Sequence, residues 1–234
     1  MCVILVCTKV RPSPEVLRKC STYNDCGMGI AWQDNGAVRW KKGISLKVME
    51  EFSASVPFPY VIHFRLTSVG KKIPELCHPF PISEEARVSL KGKTRKVLFH
   101  NGTWHSWEDN VLRHAVSCSR MVPCGPWSDT RAAAWIAYRA GHNIVQFMSG
   151  KFCVLSHTGA PEIIGEDWYE KEGILYSNLF WESGSRYATE YGAAYAGAYN
   201  GTSYCRDKPG FAAGTVPSRP APPDPATMHD FCEG

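Results

Sequence analysis

The second residue of the chain is a cysteine, and it opens directly into an apolar segment. Cys2 is followed by Val-Ile-Leu-Val at residues 3–6. A short apolar run is typical of a buried strand, so we predict a strand over residues 2–8 that begins with a thiol. Removal of Met1 would leave this thiol and a free α-amine on one residue, a nucleophile that carries its own base.

Composition favours a globular chain with a modest positive charge. The 234 residues, 44% of them hydrophobic and eight of them Trp, suit one large domain or a domain plus a tail. The net charge of +4 does not indicate nucleic-acid binding. No stretch approaches the ~18 apolar residues that a membrane-spanning helix needs.

The cysteines and the N-terminus together predict a cytoplasmic protein. The first apolar run lacks a basic n-region and is interrupted by Lys9 and Arg11, so we expect no signal peptide. Without a secretory context, most cysteines are expected to be reduced and buried. The six to which this applies are Cys7, Cys20, Cys26, Cys77, Cys153 and Cys205.

Strands dominate the first hundred residues of the predicted secondary structure. A hairpin is expected over residues 29–40, because Asn35-Gly36 supplies the positive φ values of a tight turn. The basic segment 91–96 is interpreted as a solvated hairpin turn in preference to a phosphate site. We further predict helices over 45–55, 107–116 and 128–140, and strands over 60–66, 96–99, 144–148, 151–156, 162–166 and 173–181.

A change of composition near residue 184 indicates a domain of residues 1–183 and an irregular extension of residues 184–234. The extension is rich in Gly, Ala and Tyr and then in Pro, a composition that buries little apolar surface. Four tyrosines in it recur every fourth residue, which favours a packed amphipathic helix over a ligand-binding ladder. They are Tyr187, Tyr191, Tyr195 and Tyr199.

Several short motifs, in this order and rough spacing, resemble those of class II glutamine amidotransferases, which are N-terminal nucleophile hydrolases. The resemblance covers about residues 2–182. It implies an α+β fold, a four-layer α/β/β/α sandwich. The motifs are Cys2, His63-Phe64-Arg65, Cys77-His78-Pro79, His100-Asn101-Gly102, Ser128-Asp129-Thr130 and Leu175-Tyr176-Ser177-Asn178.

The resemblance also implies a role for each candidate residue. Cys2 would attack the side-chain amide of L-glutamine and form a thioester, while Asn101 and Gly102 would donate to the oxyanion. Arg65 would bind the α-carboxylate of glutamine and Asp129 its α-ammonium group. Asp129 also has a purely structural interpretation as a helix N-cap.

Two further residues are expected at the substrate site. Ser68 would replace the threonine hydroxyl of the family, whereas the side chain of Val69 offers no polar contact. His100 would form hydrogen bonds near the substrate.

No metal site and no cofactor are predicted. The histidines and cysteines lack His-Glu-x-x-His and Cys-x-x-Cys spacing. No strand is followed by a glycine-rich phosphate loop.

The predicted function is hydrolysis of glutamine to glutamate and ammonia. Too few residues follow residue 183 for an acceptor domain, so we expect a separate synthase partner with the extension as its docking element. Two alternatives stay open. One is an N-terminal-Cys amidohydrolase for another γ-glutamyl amide, and the other is a non-catalytic binding or regulatory protein on the same fold.

Overall fold

The computed structural model describes residues 2–119 and 121–182, which form helices and antiparallel sheets. The α-helices of this part are α1 (Pro14–Tyr23), α2 (Leu46–Ser55), α3 (Trp107–Ser117) and α4 (Asp129–Ala140). Short 3-10 helices lie at Pro74–Leu76 and His142–Phe147. The strands are β1 (Val3–Cys7), β2 (Met28–Asp34), β3 (Ala37–Lys42), β4 (Tyr60–Phe64), β5 (Phe80–Pro81), β6 (Lys91–Thr94), β7 (Lys96–Asn101), β8 (Lys151–Ser156), β9 (Glu162–Ile164), β10 (Tyr169–Lys171) and β11 (Ile174–Tyr176).

The strands of the described residues form two sheets. The large sheet has the order β10-β11-β1-β4-β2-β3-β6, and the small sheet has the order β5-β7-β8-β9. Strand β1 pairs with β4 on one edge, where Val3 lies opposite Phe64, and with β11 on the other, where Leu5 lies opposite Tyr176. Cys2 therefore lies beside the segment that follows β4.

Apolar side chains form three clusters, and β1 contributes to two of them. Because successive strand residues point to opposite faces, Val3 and Leu5 pack with α1 and α2, whereas Ile4 and Val6 face the small sheet. Residues of both sheets meet in this second cluster. The third cluster joins the opposite face of the small sheet to α3 and α4. Full burial of each large apolar side chain contributes about 1.5–3 kcal/mol.

The α+β class predicted from the sequence is confirmed. Each predicted strand except residues 144–148 overlaps a strand, and the three predicted helices correspond to α2, α3 and α4. The strand predicted over residues 144–148 was wrong, because the chain there forms the 3-10 helix His142–Phe147. Segment 91–96 was wrongly predicted as a turn, since its first residues form β6 against β3. The predicted extension, with its tyrosines, lies outside the described residues.

Most of the cysteines predicted to be reduced and buried are so. Cys7, Cys20, Cys77 and Cys153 are buried free thiols. The prediction was wrong for Cys26, which is buried but disulfide-bonded. Cys205 lies outside the described residues.

Helix α4 is anchored to its surroundings by a buried arginine. Arg131 is 2% exposed. Its guanidinium donates to four backbone carbonyls, at 2.8–3.2 Å, and stacks over the ring of Trp127. The acceptors are Glu85, Ala86, Cys124 and Pro126. One side chain thus joins two loops to the start of α4.

Replacing Arg131 with methionine should destabilise the fold strongly. The variant keeps apolar length but leaves four carbonyls without this donor, so we expect the free energy of unfolding to fall by about 3 kcal/mol or more. Urea unfolding followed by circular dichroism measures it. The control is Arg139→Met on the same helix, where a partly exposed pair with Glu84 is lost and a change within about 0.5 kcal/mol is expected. Equal losses in the two variants would contradict the assigned role.

Candidate active site

Cys2 is held at its place by its main chain and by its sulfur. Its carbonyl accepts from Asn178 Nδ2 at 2.6 Å, and the Leu66 N–H approaches Sγ at 3.3 Å. The Asn178 amide has a fixed orientation, because its Oδ1 accepts from the Phe180 N–H at 3.2 Å. Burial raises the pKa of the Cys2 thiol, an effect only partly offset by the charge of the N-terminus, the Leu66 amide and Arg65.

A narrow pocket brings together six of the seven predicted site residues. They come from four separate segments of the chain. The six are Cys2, Arg65, Ser68, His100, Gly102 and Asp129. His78, Thr130 and Ser128 also line the pocket. The seventh residue, Asn101, is buried next to Gly102 and turns its side chain toward Ser177.

Arg65 lies at the end of β4 and organises the loop that follows it. Its guanidinium donates to the carbonyls of Val69 and Lys71, at 3.1 and 3.0 Å. Val69, which offers no polar side chain, thus contributes its main chain. These bonds use two of the five N–H donors of an arginine, so further donors stay available for a carboxylate in the pocket.

Asp129 is the first residue of α4 and not its N-cap. Ser128 holds the cap position, because its Oγ accepts from the Arg131 N–H at 3.3 Å. Asp129 accepts from the Trp104 N–H at 3.1 Å through Oδ2 and from the Thr130 N–H at 2.8 Å through Oδ1. The carboxylate therefore also joins the loop after β7 to the helix.

The loop after β7 closes the remaining side of the pocket. Ser68 Oγ and Thr103 Oγ1 lie 2.9 Å apart, which connects this loop to the one that carries Arg65. At Gly102, which has φ +156, a Cβ would lie 2.7 Å from Gly150 Cα and 2.9 Å from His100 Nε2. Only glycine permits this close approach of the two loops.

Three buried histidines lie at the pocket, and two of them share a hydrogen-bond partner. His78 Nε2 and His100 Nδ1 approach Thr130 Oγ1 at 2.9 and 3.2 Å, and His100 Nε2 lies 3.0 Å from the Ser149 carbonyl. The ring of His63 lies 3.9 Å from that of His78, and its Nε2 lies 3.2 Å from the His100 carbonyl. His100 therefore helps to position Thr130 and, through it, the neighbouring Asp129.

All three histidines are kept neutral by their surroundings. Burial, with a contribution from Arg65, lowers the pKa of His63 to about 3. Burial and the neighbouring His63 lower the pKa of His78 well below its ordinary value. Burial also lowers the pKa of His100, although Asp129 opposes this shift.

Sequence reasoning gave no site role to Ser177, Asn178, Thr130 and His78. All four belong to motifs that carried the family resemblance, but no local pattern indicated what their side chains contact.

In the described part of the chain, no three His, Cys, Asp or Glu side chains are grouped so that they could hold a metal ion.

The pocket places opposite charges around the thiol of Cys2. Arg65 provides cationic donors and Asp129 an anionic acceptor, while Cys2 provides a thiol. This arrangement is complementary to the charged carboxylate and ammonium groups of a free amino acid. The thiol is suited to attack on a carbonyl carbon.

No family model and no curated protein matches the sequence. The fold is similar to that of solved structures. Glutamine phosphoribosylpyrophosphate (PRPP) amidotransferase from B. subtilis, complexed with ADP and GMP, aligns at a TM-score of 0.50 and 15% identity over 76% of this chain. An allosteric regulatory enzyme of purine biosynthesis aligns at a TM-score of 0.44 and 17% identity over 68% of this chain. This chain spans 42% and 36% of their respective lengths.

The buried histidines predict a fall of stability in mild acid. Below pH 6.5 the unfolded chain takes up protons on these groups and the folded protein does not, so their contribution is complete above pH 6.5 and is lost as the pH falls. Each should add up to about 1.4 kcal/mol per pH unit to the slope of the free energy of unfolding. We expect His63→Gln to reduce the slope between pH 6 and 5 by about one such increment.

Denaturant unfolding at a series of pH values measures this slope. The control is His105→Gln, because His105 is exposed and its replacement should leave the slope unchanged. A slope that is the same in wild type and His63→Gln would show that His63 is not kept neutral by folding.

Proposed function

We propose that this protein is a glutamine amidotransferase domain that hydrolyses L-glutamine to glutamate and ammonia through Cys2. The observation that carries the proposal is the shared pocket of Cys2, Arg65, Gly102 and Asp129. These residues are far apart in sequence, and a thiol, a cation and an anion around one cavity suit an amino acid with an electrophilic side chain. The fold shared with the B. subtilis amidotransferase supports this proposal.

The two charged residues bind the ends of the substrate that do not react. Arg65 binds the α-carboxylate with the donors that its own loop leaves available, and a planar guanidinium suits this bidentate contact better than lysine does. Asp129 binds the α-ammonium group. Ser68 and His100 support these two contacts, and together they select a free amino acid over a glutamine within a peptide.

The reaction proceeds through a thioester. After removal of Met1, the α-amine of Cys2 takes the thiol proton as Sγ attacks the amide carbon of glutamine. The Asn101 side-chain NH2 and the Gly102 N–H stabilise the oxyanion. The C–N bond then breaks, and the leaving nitrogen takes the proton back from the α-ammonium group and departs as ammonia. Water hydrolyses the thioester to glutamate and restores the thiol.

The packing supports the finer fold assignment, a four-layer α/β/β/α sandwich of the N-terminal nucleophile hydrolase type. Helices α1 and α2 cover the large sheet, the two sheets share a cluster, and α3 and α4 cover the small sheet. Residues 1–183 are proposed as the amidotransferase domain. We further propose that the ammonia passes to a synthase on a separate chain and that residues 184–234 bind this synthase.

A glutamine-shaped electrophile tests the nucleophile directly. Incubation with a diazo-ketone analogue of glutamine should give a single adduct on Cys2 of a chain that has lost Met1, as measured by intact mass and peptide mapping. Cys2→Ala should give no adduct, and the exposed thiol of Cys124 provides an internal control for non-specific alkylation. A processed protein whose Cys2 stays unmodified would favour the binding-protein alternative.

Conservative changes at the two charged residues should weaken substrate binding. We expect Arg65→Lys and Asp129→Asn each to raise KM for glutamine by about ten- to a hundred-fold, because each loses a charge-assisted contact. The value of kcat should change less. Ammonia-release assays measure both constants, and Arg139→Lys on the surface of α4 is the control. Unchanged KM values would contradict the substrate orientation, and faster turnover of another γ-glutamyl amide would favour that substrate.

A further inference from the structure

Ser177 follows β11 and is fully buried between the nucleophile strand and Asn101. Its N–H donates to the Ile4 carbonyl at 3.0 Å, and its Oγ accepts from the Ile4 N–H at 2.9 Å. Lys151 Nζ donates to its carbonyl at 2.8 Å. The same Oγ lies 2.9 Å from the side-chain amide of Asn101. Ser177 is thus fixed on three sides before it contacts the fourth group.

The orientation of the Asn101 amide decides which groups of this buried pair have a hydrogen-bond partner. With Nδ2 toward Ser177, Oδ1 of Asn101 is buried without a partner. Both contacts of the serine Oγ are then with N–H donors, those of Ile4 and Asn101, so its hydroxyl hydrogen has no acceptor among the described residues. A half turn of the amide lets Ser177 donate to Oδ1 and leaves the NH2 group free. The first orientation leaves two groups unpaired, Oδ1 and the hydroxyl hydrogen, whereas the second leaves only the NH2 group. Buried polar groups favour the orientation in which more of them are paired.

We propose that Ser177 is a positioning residue of the glutaminase reaction. Its hydroxyl donates to Asn101 Oδ1 and thereby directs the amide NH2 group to the oxyanion, while the Ile4 N–H fixes the hydroxyl itself. Because Ile4 lies two residues after Cys2, one serine side chain sets the spacing between the nucleophile and an oxyanion donor. The inference rests on the proposed function, in which Asn101 stabilises the oxyanion.

Removal of the hydroxyl should lower turnover with little effect on substrate binding. Loss of one oxyanion donor lowers kcat by about a hundred- to a thousand-fold in other enzymes. A donor that is present but misdirected should cost less, so we expect Ser177→Ala to lower kcat by about ten- to a hundred-fold with KM within about twofold. Ser177→Thr keeps the hydroxyl and should retain most of the activity. The control is Ser156→Ala, a buried serine at the far end of β8 whose Oγ has no partner.

A double-mutant cycle with Asn101→Ala separates positioning from general structural support. If Ser177 acts through Asn101, Ser177→Ala should change kcat by less than about twofold in the Asn101→Ala background. The rate of Cys2 alkylation by iodoacetamide, which does not use the oxyanion site, should equal that of wild type in every variant. Melting temperatures identify any variant that does not fold. If Ser177→Ala does not fold, the cycle is run with Ser177→Cys, whose thiol is a weak donor of similar size.

The outcomes distinguish this inference from the function on which it rests. A processed wild-type protein without glutaminase activity overturns both. An active wild type in which the two substitutions lower kcat independently overturns the role of Ser177 alone. Equal losses in folded Ser177→Ala and Ser177→Thr variants also overturn it, because the hydroxyl would then not be the group that matters.

Discussion

The pairing of β1 on both of its edges is the constraint on which the site depends. On one edge, β4 brings the Leu66 N–H to the sulfur of Cys2. On the other edge, the chain after β11 binds Ile4 through Ser177 and the Cys2 carbonyl through Asn178. Because both faces of β1 are also buried in apolar clusters, the strand cannot slide by one residue without exchanging its faces. The pairing register of β1, the burial of its two faces and the position of the Cys2 thiol therefore depend on one another.

The charged groups of the pocket are stable there because each also serves the backbone. A buried charge is costly unless it is hydrogen-bonded. Arg65 binds two carbonyls of its own loop. Asp129 binds the N–H of Trp104 in the loop after β7 and the N–H of Thr130 in α4. The same two side chains that the proposed function assigns to substrate thus hold the walls of the pocket. These existing bonds explain how a narrow cleft can carry two opposite charges without a ligand. Binding of an amino acid would add further bonds to them.

The elements that the sequence predicted are those with local signals. The Asn35-Gly36 turn identified a hairpin, and Ser128 and Gly141 mark the two ends of α4. The missed elements depend on tertiary contacts or on a signal left unused. The basic strand β6 forms because β3 lies beside it, which is a tertiary contact. Helix α1 has a local signal, because it begins at a Ser13 cap followed by proline. The apolar run 144–148 buries Val145 but exposes Phe147, so it does not alternate as a strand would. Ser177 contacts Ile4, which is 173 positions away in the sequence, and Asn101, which is 76 positions away, so no local pattern could indicate its role.

The surroundings of Cys2 also bear on the base that the proposed reaction needs. Burial raises the pKa of its thiol, so the sulfur is protonated at neutral pH and needs a proton acceptor when it attacks. The three buried histidines are unsuited to this task, because burial lowers the pKa of each and none forms a hydrogen bond with the Cys2 sulfur. Among the described residues, the Cys2 sulfur has hydrogen-bond contacts only with the main chain of Leu66. The α-amine exposed by removal of Met1 lies on the same residue as the thiol and has an ordinary pKa of about 8. The mechanism therefore requires that the chain begin at Cys2.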